Sequence, residues 1–329
     1  MKNINKSTIS VLLVSFNHED YIYEALEGIR LQTRTPDEVL IADDGSTDKT
    51  QRIIVDYVKK NKLEEKWKLM LSSKNRGINA NLNNAIRNLN AEIIVPMSGD
   101  DISLSNRCEL AQKIFDENKF VNIINTNGFI INQEGEITGH TSRPLGLYND
   151  IFKSIRNGFP PISPVGECWR RNIFRDMGEL PTDVPNEDDQ ISFWGLINGG
   201  IFCSSERTFK YRVHEKSASA WLRNNQSNED FLNMYLQDME IRRRHMVHWH
   251  FLLSKSALFD KKYLSDALLK KIYFYGLMTK LSNNNYIERI IFLLKYSNLL
   301  PIREKVYCIL GERGIVLWRI LRRAIKGNK

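Results

Sequence analysis

The 329-residue sequence contains no run of 18 apolar residues, so we expect no transmembrane helix. Its opening stretch, MKNINKSTIS, lacks the apolar centre of a secretory signal, and we expect no such signal there. Cysteine is scarce, and the four that occur form neither a CxxC pair nor a zinc-type spacing: Cys108, Cys168, Cys203 and Cys308. These absences favour a reducing, cytoplasmic location.

The sequence also lacks a basic surface distributed along its length. The formal net charge is +8, but residues 301–329 hold eight Lys or Arg and two Glu, which leaves only +2 for the rest. Positive charge confined to a tail argues against a nucleic-acid groove through the core. We therefore expect no nucleic-acid partner.

An alternation of apolar strands and amphipathic helices occupies the first hundred residues. The first helix, for example, has Ile22, Ala25, Leu26 and Ile29 at helical spacing. Such alternation predicts an α/β fold, with a mostly parallel sheet flanked by helices. From about residue 228 the pattern is helical and aromatic. The strands are expected at residues 8–15, 38–42, 67–72 and 92–97.

Polar clusters follow three of the four predicted strands. They are Ser15–Asn17, Asp43–Asp48 and Ser98–Asp101. The carboxyl ends of parallel strands share one edge of a sheet, where ligands collect. We expect the clusters to lie together there, with Asn17 also capping the first helix.

The Asp43–Asp48 cluster, DDGSTD, has two interpretations. A turn and a helix cap explain Gly45, Ser46 and Asp48. They do not explain Asp43 and Asp44 at the strand end. Carboxylates there could accept hydrogen bonds from a nucleobase or from ribose hydroxyls.

The adjacent Asp100 and Asp101 after the fourth strand pose a physical problem. Like charges repel, and each carboxylate is costly to remove from water. Mg²⁺ and Mn²⁺ favour hard oxygen ligands, commonly one or two carboxylates together with substrate phosphates. A divalent-ion site is one interpretation, and an ordinary polar turn is the other.

Two further segments carry candidate functional groups. Glu187–Asp189 follow Asn186, which we expect to cap a helix whose positive N-terminal end favours these acids. The same position would mount a general base, and both interpretations can hold together. His214 is either structural or a metal ligand, and the nearby Arg212 would suit a diphosphate.

With these clusters in order, the chain resembles the inverting family 2 glycosyltransferases of the GT-A fold, such as those of bacterial capsule and O-antigen synthesis. The resemblance spans residues 8 to about 220. It rests on SVLLVSFN, IADDGSTD, NRGINANLNNAI, SGDD, EDD and YRVHEKSAS. It implies a GT-A (Rossmann-like) catalytic domain over residues 1–225 and a helical C-terminal region over residues 226–329.

The resemblance implies transfer of a sugar, with inversion, from a nucleotide diphosphate donor, most commonly a UDP-sugar. The acceptor would be a hydroxyl of a saccharide or lipid-linked saccharide. Mn²⁺ or Mg²⁺ would be the cofactor. By this resemblance Asp188 would be the general base and Asp100 and His214 would hold the metal. The donor would meet Ser15, Asn17, Asp43, Asp44, Asn83, Ser98, Gly99 and Asp101, and the acceptor side would hold Glu187 and Asp189.

The sequence departs from the family pattern at two places. Ser98 stands where an Asp often contacts the ribose, and a serine supplies a hydroxyl without charge. Leu82 stands before Asn83 where the family often has an Arg. We expect Arg76 to serve the diphosphate instead.

The basic tail, GIVLWRILRRAIK over residues 314–326, is amphipathic at helical spacing. This pattern is typical of an interfacial helix on an anionic membrane, at the inner face of the cell membrane. The alternative is a helix packed on the protein. One face carries Leu317, Ile320, Leu321, Ala324 and Ile325, and the other carries Arg319, Arg322, Arg323 and Lys326.

Two other functions remain open from the sequence. A nucleotidyltransferase would need a Gly-rich loop bearing Arg or Lys after the first strand, and SFNHEDY is not one. A non-catalytic nucleotide-sugar-binding subunit is favoured only by the missing acid at Ser98.

Overall fold

The computed structural model describes residues 6–142, 144–160, 164–184, 187–215, 227–258, 261–279 and 285–327. The chain divides into two compact units. One comprises Met1–Asn149 and Pro161–His214, and the other comprises Asp150–Pro160 and Glu215–Lys329. The expected cap at Asn186 and the end of the YRVHEKSAS segment lie outside the described residues.

The first unit begins with four parallel strands separated by helices. The strands stand in the spatial order β3-β2-β1-β4. Parallel neighbours need crossover connections, and helices supply them here. The elements are β1 Ile9–Ser15, α1 Ile22–Arg30, β2 Glu38–Asp43, α2 Thr50–Lys60, β3 Trp67–Leu71, α3 Ile78–Arg87 and β4 Ile93–Ser98.

The elements that follow, as far as His214, add further strands to the sheet and further helices to the chain. They are β5 Ile102–Ser103, α4 Arg107–Glu117, β6 Ile123–Ile131, β7 Ile137–His140, β8 Gly146–Tyr148, α5 Ile151–Asn157, β9 Glu167–Arg170, α6 Asn172–Met177, α7 Glu187–Ile197 and β10 Ile201–Arg212. Beyond β4 the order is β9-β6-β10-β5, with β9 antiparallel to both neighbours and β10 parallel to β6. The expected α/β fold with a central sheet flanked by helices is confirmed.

The second unit is helical, as the sequence predicted. Besides α5 it contains α8 Asn228–Lys255, α9 Lys261–Met278, α10 Tyr286–Tyr296, α11 Ile302–Leu310 and α12 Glu312–Gly327. Among the residues that the structure describes, no helix is long and apolar enough to cross a bilayer.

Helix α1 shows where the sequence pattern holds and where it fails. Ile22, Ala25, Leu26 and Ile29 are all buried, as their spacing predicted. The expected cap at Asn17 is wrong, because the helix begins only at Ile22. Asn17 instead takes a left-handed conformation, with φ 56°, and its side-chain oxygen accepts from the Thr47 amide at 2.8 Å.

Helix α12 buries one residue of its basic face. Arg319 is only 5% exposed, and its guanidinium donates to the Ser227 carbonyl at 3.0 Å. Three apolar residues of the helix, Leu317, Ile320 and Leu321, are exposed, whereas Ile315 and Arg319 are buried. Their exposed fractions are 42% for Leu317, 53% for Ile320 and 46% for Leu321.

A pair of glycine substitutions tests the turn after β2. Gly45 has φ 74°, and an added Cβ would lie 2.3 Å from the Lys74 carbonyl carbon. Gly77 has φ 87° but open space around it. We expect Gly77→Ala to cost about 1–3 kcal/mol of unfolding free energy from backbone strain. Gly45→Ala should cost clearly more in urea denaturation, and an equal loss would mean that the clash is relieved without cost.

Candidate active site

The polar clusters after β1, β2 and β4 lie side by side, as the sequence predicted. In the sheet register Ser15 is opposite Asp43, and Val14 is opposite Ser98. Adjacent strands stand about 4.8 Å apart, so the three strand ends fall within about 10 Å. One edge of the sheet therefore gathers most of the candidate residues.

Asp43 is fully buried, and protein donors surround its carboxylate. One oxygen accepts from the Ser46 amide at 2.9 Å and the Gln51 side chain at 2.6 Å. The other accepts from the hydroxyls of Ser15 at 2.8 Å and Ser46 at 2.6 Å. Asp43 and Ser15 thus brace the loop after β2, and their contact with a nucleotide stays a prediction.

Asp44 lies beside an open cleft of about 480 Å³. Its two oxygens accept from the amides of Arg76, at 2.9 Å, and Gly77, at 2.8 Å. These bonds hold the loop before α3 against the end of β2, and the Arg76 side chain remains exposed. The cleft is lined by Asp44, Leu69, Met70, Leu71, Ser72, Ser73, Arg76, Ala80, Asn81 and Asn84.

The loops after β1 and β2 are tied together by side-chain bonds. The Asn17 amide donates to the Ser46 hydroxyl at 2.8 Å. The His18 amide donates to the Thr50 hydroxyl, also at 2.8 Å. Together with the Asn17–Thr47 bond, these bonds link the loop after β1 to the loop after β2. The two loops therefore form one scaffold.

The side chain of Asn83 is hydrogen-bonded to Leu180 and not to Asp44. Its side-chain nitrogen donates to the Leu180 carbonyl at 2.9 Å, and its oxygen accepts from the Leu180 amide at 2.8 Å. Both ends of the amide are therefore engaged within the chain. The role of Asn83 in donor binding stays a prediction.

Two imidazole rings face one carboxylate oxygen of Asp100. His214 Nε2 lies 3.1 Å from Oδ2, and His18 Nε2 lies 3.9 Å from the same atom. Burial alone would raise the pKa of Asp100, but the hydrogen bond with His214 and the nearby His18 outweigh it and lower the pKa. Bonding to Ser98 acts in the same direction. Asp100 is thus held as a carboxylate.

The pKa of Asp101 is shifted in the opposite direction. It is 2% exposed, and burial together with the charge of Asp100 raises its pKa well above the usual value. One of its oxygens accepts from the Arg212 amide at 2.8 Å. The pair therefore avoids two adjacent negative charges by holding a proton on the inner carboxyl group.

The guanidinium of Arg212 is buried, so the expectation that it pairs with a diphosphate is wrong. It donates to the Asp100 carbonyl at 3.0 Å, to the Gln133 carbonyl at 3.0 Å and to the Glu24 carboxylate. It also lies 4.8 Å from the ring centre of Tyr21. Its fixed donors hold the Ser98–Asp101 segment in place.

Glu187, Asp188 and Asp189 form the first turn of α7 and are half-buried. Burial and the neighbouring Asp188 raise the pKa of Glu187 to about 8. The helix N-terminus favours negative charge at these positions. Their roles as base and acceptor-side residues stay predictions.

Two residues near the site, Glu167 and His18, were not expected from the sequence. Glu167 is fully buried on β9, and it accepts from the Trp169 indole at 2.8 Å and from the Ser192 hydroxyl. Nothing in ECWR indicates a buried acid. His18, however, sits in SFNHEDY beside the first polar cluster, and its position was a usable signal. Burial, above all, lowers the pKa of His18, against the opposing effect of the Asp100 charge.

The Asp100–His214 pair suits a divalent ion only in part. A carboxylate oxygen and an imidazole nitrogen are both metal-binding groups. In the described part of the chain no three His, Cys, Asp or Glu are already spaced to hold an ion. An ion here would need further oxygens from a substrate, which is how Mg²⁺ is commonly bound beside phosphates.

Comparison with known proteins identifies the family. The model of the family described as "Glycosyl transferase family 2" matches residues 10–178, about half of the chain. The chain belongs to the family 2 glycosyltransferases. This membership removes the nucleotidyltransferase alternative, and the strand-end clusters of this glycosyltransferase fall inside the matched segment.

Two curated relatives extend the comparison. An "Uncharacterized glycosyltransferase" of Haemophilus influenzae is 25% identical over 304 residues, covering 89% of this chain and 88% of the relative. An uncharacterized protein of Mycobacterium bovis is 38% identical over 169 residues, covering 51% of this chain and 42% of the relative.

Solved structures share the fold at low identity. TarS of S. aureus, residues 1–349 in complex with UDP, is 17% identical with a TM-score of 0.60, covering 98% of this glycosyltransferase and 92% of that chain. The mannosyltransferase PcManGT of Pyrobaculum calidifontis, in complex with GDP-Man and Mn²⁺, is 14% identical with a TM-score of 0.51, covering 99% and 89%. These matches confirm the GT-A fold.

Replacing Glu167 tests its buried proton. Burial raises the pKa of Glu167 well above the usual value. The folded chain keeps a proton there that the unfolded chain releases above pH about 4.5, so stability falls as the pH rises. Glutamine cannot ionise, and it can keep both hydrogen bonds. We expect Glu167→Gln to raise Tm relative to wild type more at pH 8 than at pH 5.

Thermal unfolding at the two pH values measures this difference. Glu64→Gln, at an exposed carboxylate, is the matched control and should show the same small change at both. A Glu167→Gln effect that is equal at pH 5 and pH 8 would contradict a protonated Glu167.

Proposed function

We propose that this glycosyltransferase moves a sugar, with inversion, from a nucleotide diphosphate sugar to a hydroxyl of a saccharide or lipid-linked saccharide. The product would belong to a bacterial surface polysaccharide such as capsule or O-antigen. Residues 1–225 would be the catalytic domain. The observation that carries the proposal is the Asp100–His214 pair, two strands along the same sheet edge from the cleft at Asp44.

A UDP-sugar is the donor that we favour. TarS, which shares the fold, was solved in complex with UDP-GlcNAc as well as UDP, whereas PcManGT was solved with GDP-Man. In this chain the nucleoside would enter the cleft beside Asp44, with Arg76 near the diphosphate. Ser98 would offer its hydroxyl to the ribose, and the interlocked loops would hold this surface rigid.

Asp188 would be the general base. Inversion requires that the acceptor hydroxyl lose its proton on the face of the sugar opposite the leaving group, and one carboxylate suffices for this. The N-terminus of α7 favours the ionised form of Asp188. Glu187 and Asp189 in the same turn would contact the acceptor side.

Mn²⁺ or Mg²⁺ would be held by Asp100 and His214 together with the donor diphosphate. The ion would supply charge neutralisation for the departing nucleotide diphosphate. Asp101, kept neutral by burial, would position the segment that carries Asp100. With the leaving group neutralised in this way, the chain needs no second catalytic carboxyl group, in contrast to glycoside hydrolases.

The C-terminal helix would place the enzyme at the cytoplasmic face of an anionic membrane. Leu317, Ile320 and Leu321 are exposed on α12, and residues 301–329 carry a charge of +6. An exposed apolar face flanked by basic residues is typical of interfacial helices. This location suits a lipid-linked acceptor.

Hydrolysis of a panel of nucleotide sugars, with and without Mn²⁺, tests the proposed activity. We expect slow, Mn²⁺-dependent release of nucleotide diphosphate from one donor. A non-catalytic binding subunit would bind that donor in calorimetry but release nothing with any donor or acceptor, and that outcome would overturn the proposal.

Asp188→Asn tests the base. We expect transfer to fall by about 10²–10⁴-fold, because the amide cannot accept the proton, while calorimetry shows donor affinity nearly unchanged. Asp189→Asn, in the same turn, is the matched control and should retain far more activity. Transfer by Asp188→Asn within a few-fold of wild type would exclude Asp188 as the base.

Liposome flotation tests the membrane contact. Replacing Leu317, Ile320 and Leu321 together by Gln should reduce binding to anionic vesicles, because the buried apolar area is lost. Leu145→Gln, at a residue that is 67% exposed in the first unit, is the control. Equal flotation of both variants with wild type would contradict the contact.

A further inference from the structure

His18 is held by its backbone at the edge of the candidate active site. Its amide donates to the Thr50 hydroxyl at 2.8 Å. Its carbonyl accepts from the amides of Tyr21, at 3.0 Å, and Ile22, at 2.9 Å, where α1 begins. The side chain is 16% exposed. The backbone of His18 is therefore fixed, and its imidazole ring can move mainly by rotation about the side-chain bonds.

Both ring nitrogens of His18 lack a hydrogen-bond partner among the described residues. Nδ1 is buried above Gly99 without a partner, and an added Cβ at Gly99 would lie 2.7 Å from it. Nε2 faces Asp100 Oδ2 at 3.9 Å, beyond hydrogen-bond distance. Nδ1 is the buried atom whose hydrogen bonding is unmet, at a cost of about 1–3 kcal/mol, and a water or an ion in the site commonly explains such an atom.

The ring of His18 faces the same carboxylate oxygen of Asp100 as the ring of His214 does. His214 Nε2 lies 3.1 Å from the Asp100 oxygen that His18 also faces. Neighbouring ligand atoms around an octahedral ion lie about 3 Å apart, given bonds of about 2.1 Å. Asp100 and His214 already meet this spacing, whereas His18 must approach by about 1 Å. This gap agrees with the lack of a completed three-residue site in the described chain.

We propose that His18 is a third protein ligand of the divalent cation, alongside Asp100 and His214. This inference rests on the proposed function, which assigns the ion to the other two residues. Two imidazoles and one carboxylate leave open positions for diphosphate oxygens and favour Mn²⁺ over the harder Mg²⁺. His18 lies in one of the two loops that are hydrogen-bonded to each other. Ion binding would therefore be coupled to the surface that we propose for the nucleotide.

Mn²⁺ binding to the full chain in the presence of UDP tests the role of His18. The variants are His18→Ala, His214→Ala and, as a control, His140→Ala at an exposed position on β7. Electron paramagnetic resonance titration gives the affinity, and spin-echo modulation from ¹⁴N counts the imidazole ligands. We expect two histidine nitrogens in wild type and in the control, and one in each site variant. The site variants should bind about tenfold more weakly or worse.

The outcomes separate this inference from the function on which it rests. If Asp100→Asn weakens Mn²⁺ binding but His18→Ala keeps wild-type affinity and both nitrogen signals, His18 is not a ligand and the proposed site stands. If wild type binds no Mn²⁺, or Asp100→Asn binds it unchanged, both proposals fail. Should His18→Ala unfold, His18→Asn serves as the second variant, with the same loss of one nitrogen signal expected.

Discussion

The buried guanidinium of Arg212 is the interaction on which the arrangement of the candidate active site depends. A buried charge is tolerated only when acceptors surround it, and Arg212 finds the Asp100 and Gln133 carbonyls and the Glu24 carboxylate. It thereby ties the end of β10 to the segment after β4 and to α1. The same strand end carries His214 to Asp100. The guanidinium that the sequence suggested for a diphosphate instead holds Asp100 and His214 near each other.

Two acidic residues follow a buried strand here because their environments differ. Asp100 faces His214 and is kept ionised, while Asp101 is enclosed and keeps its proton. Desolvation and hydrogen bonding act on adjacent carboxyl groups in opposite directions. The outer group therefore carries the negative charge of the pair. The inner group, Asp101, accepts a hydrogen bond from the Arg212 backbone amide and so holds the end of β10 in place.

Several of the candidate residues support the site rather than face its opening. Both carboxylate oxygens of Asp43 accept hydrogen bonds, from four protein donors in all. The side-chain amide of Asn83 donates to the Leu180 carbonyl and accepts from the Leu180 backbone amide. Such bonds fix a loop within the small tolerances that transfer chemistry needs. Asp44 and Arg76 line the open cleft, and the Arg76 side chain is exposed there. A polar cluster at a strand end thus divides into supporting and exposed members.

The sequence by itself determined the alternation of strands and helices, the buried face of α1 and the gathering of three polar clusters at one edge. These follow from local periodicity and from the geometry of parallel strands, which need no knowledge of distant contacts. Only the tertiary structure decided that Asn17 bonds Thr47 instead of capping α1, that Arg319 turns inward, and that His18 and His214 both face Asp100. Each depends on residues tens to hundreds of positions apart, and no local pattern encodes such a meeting.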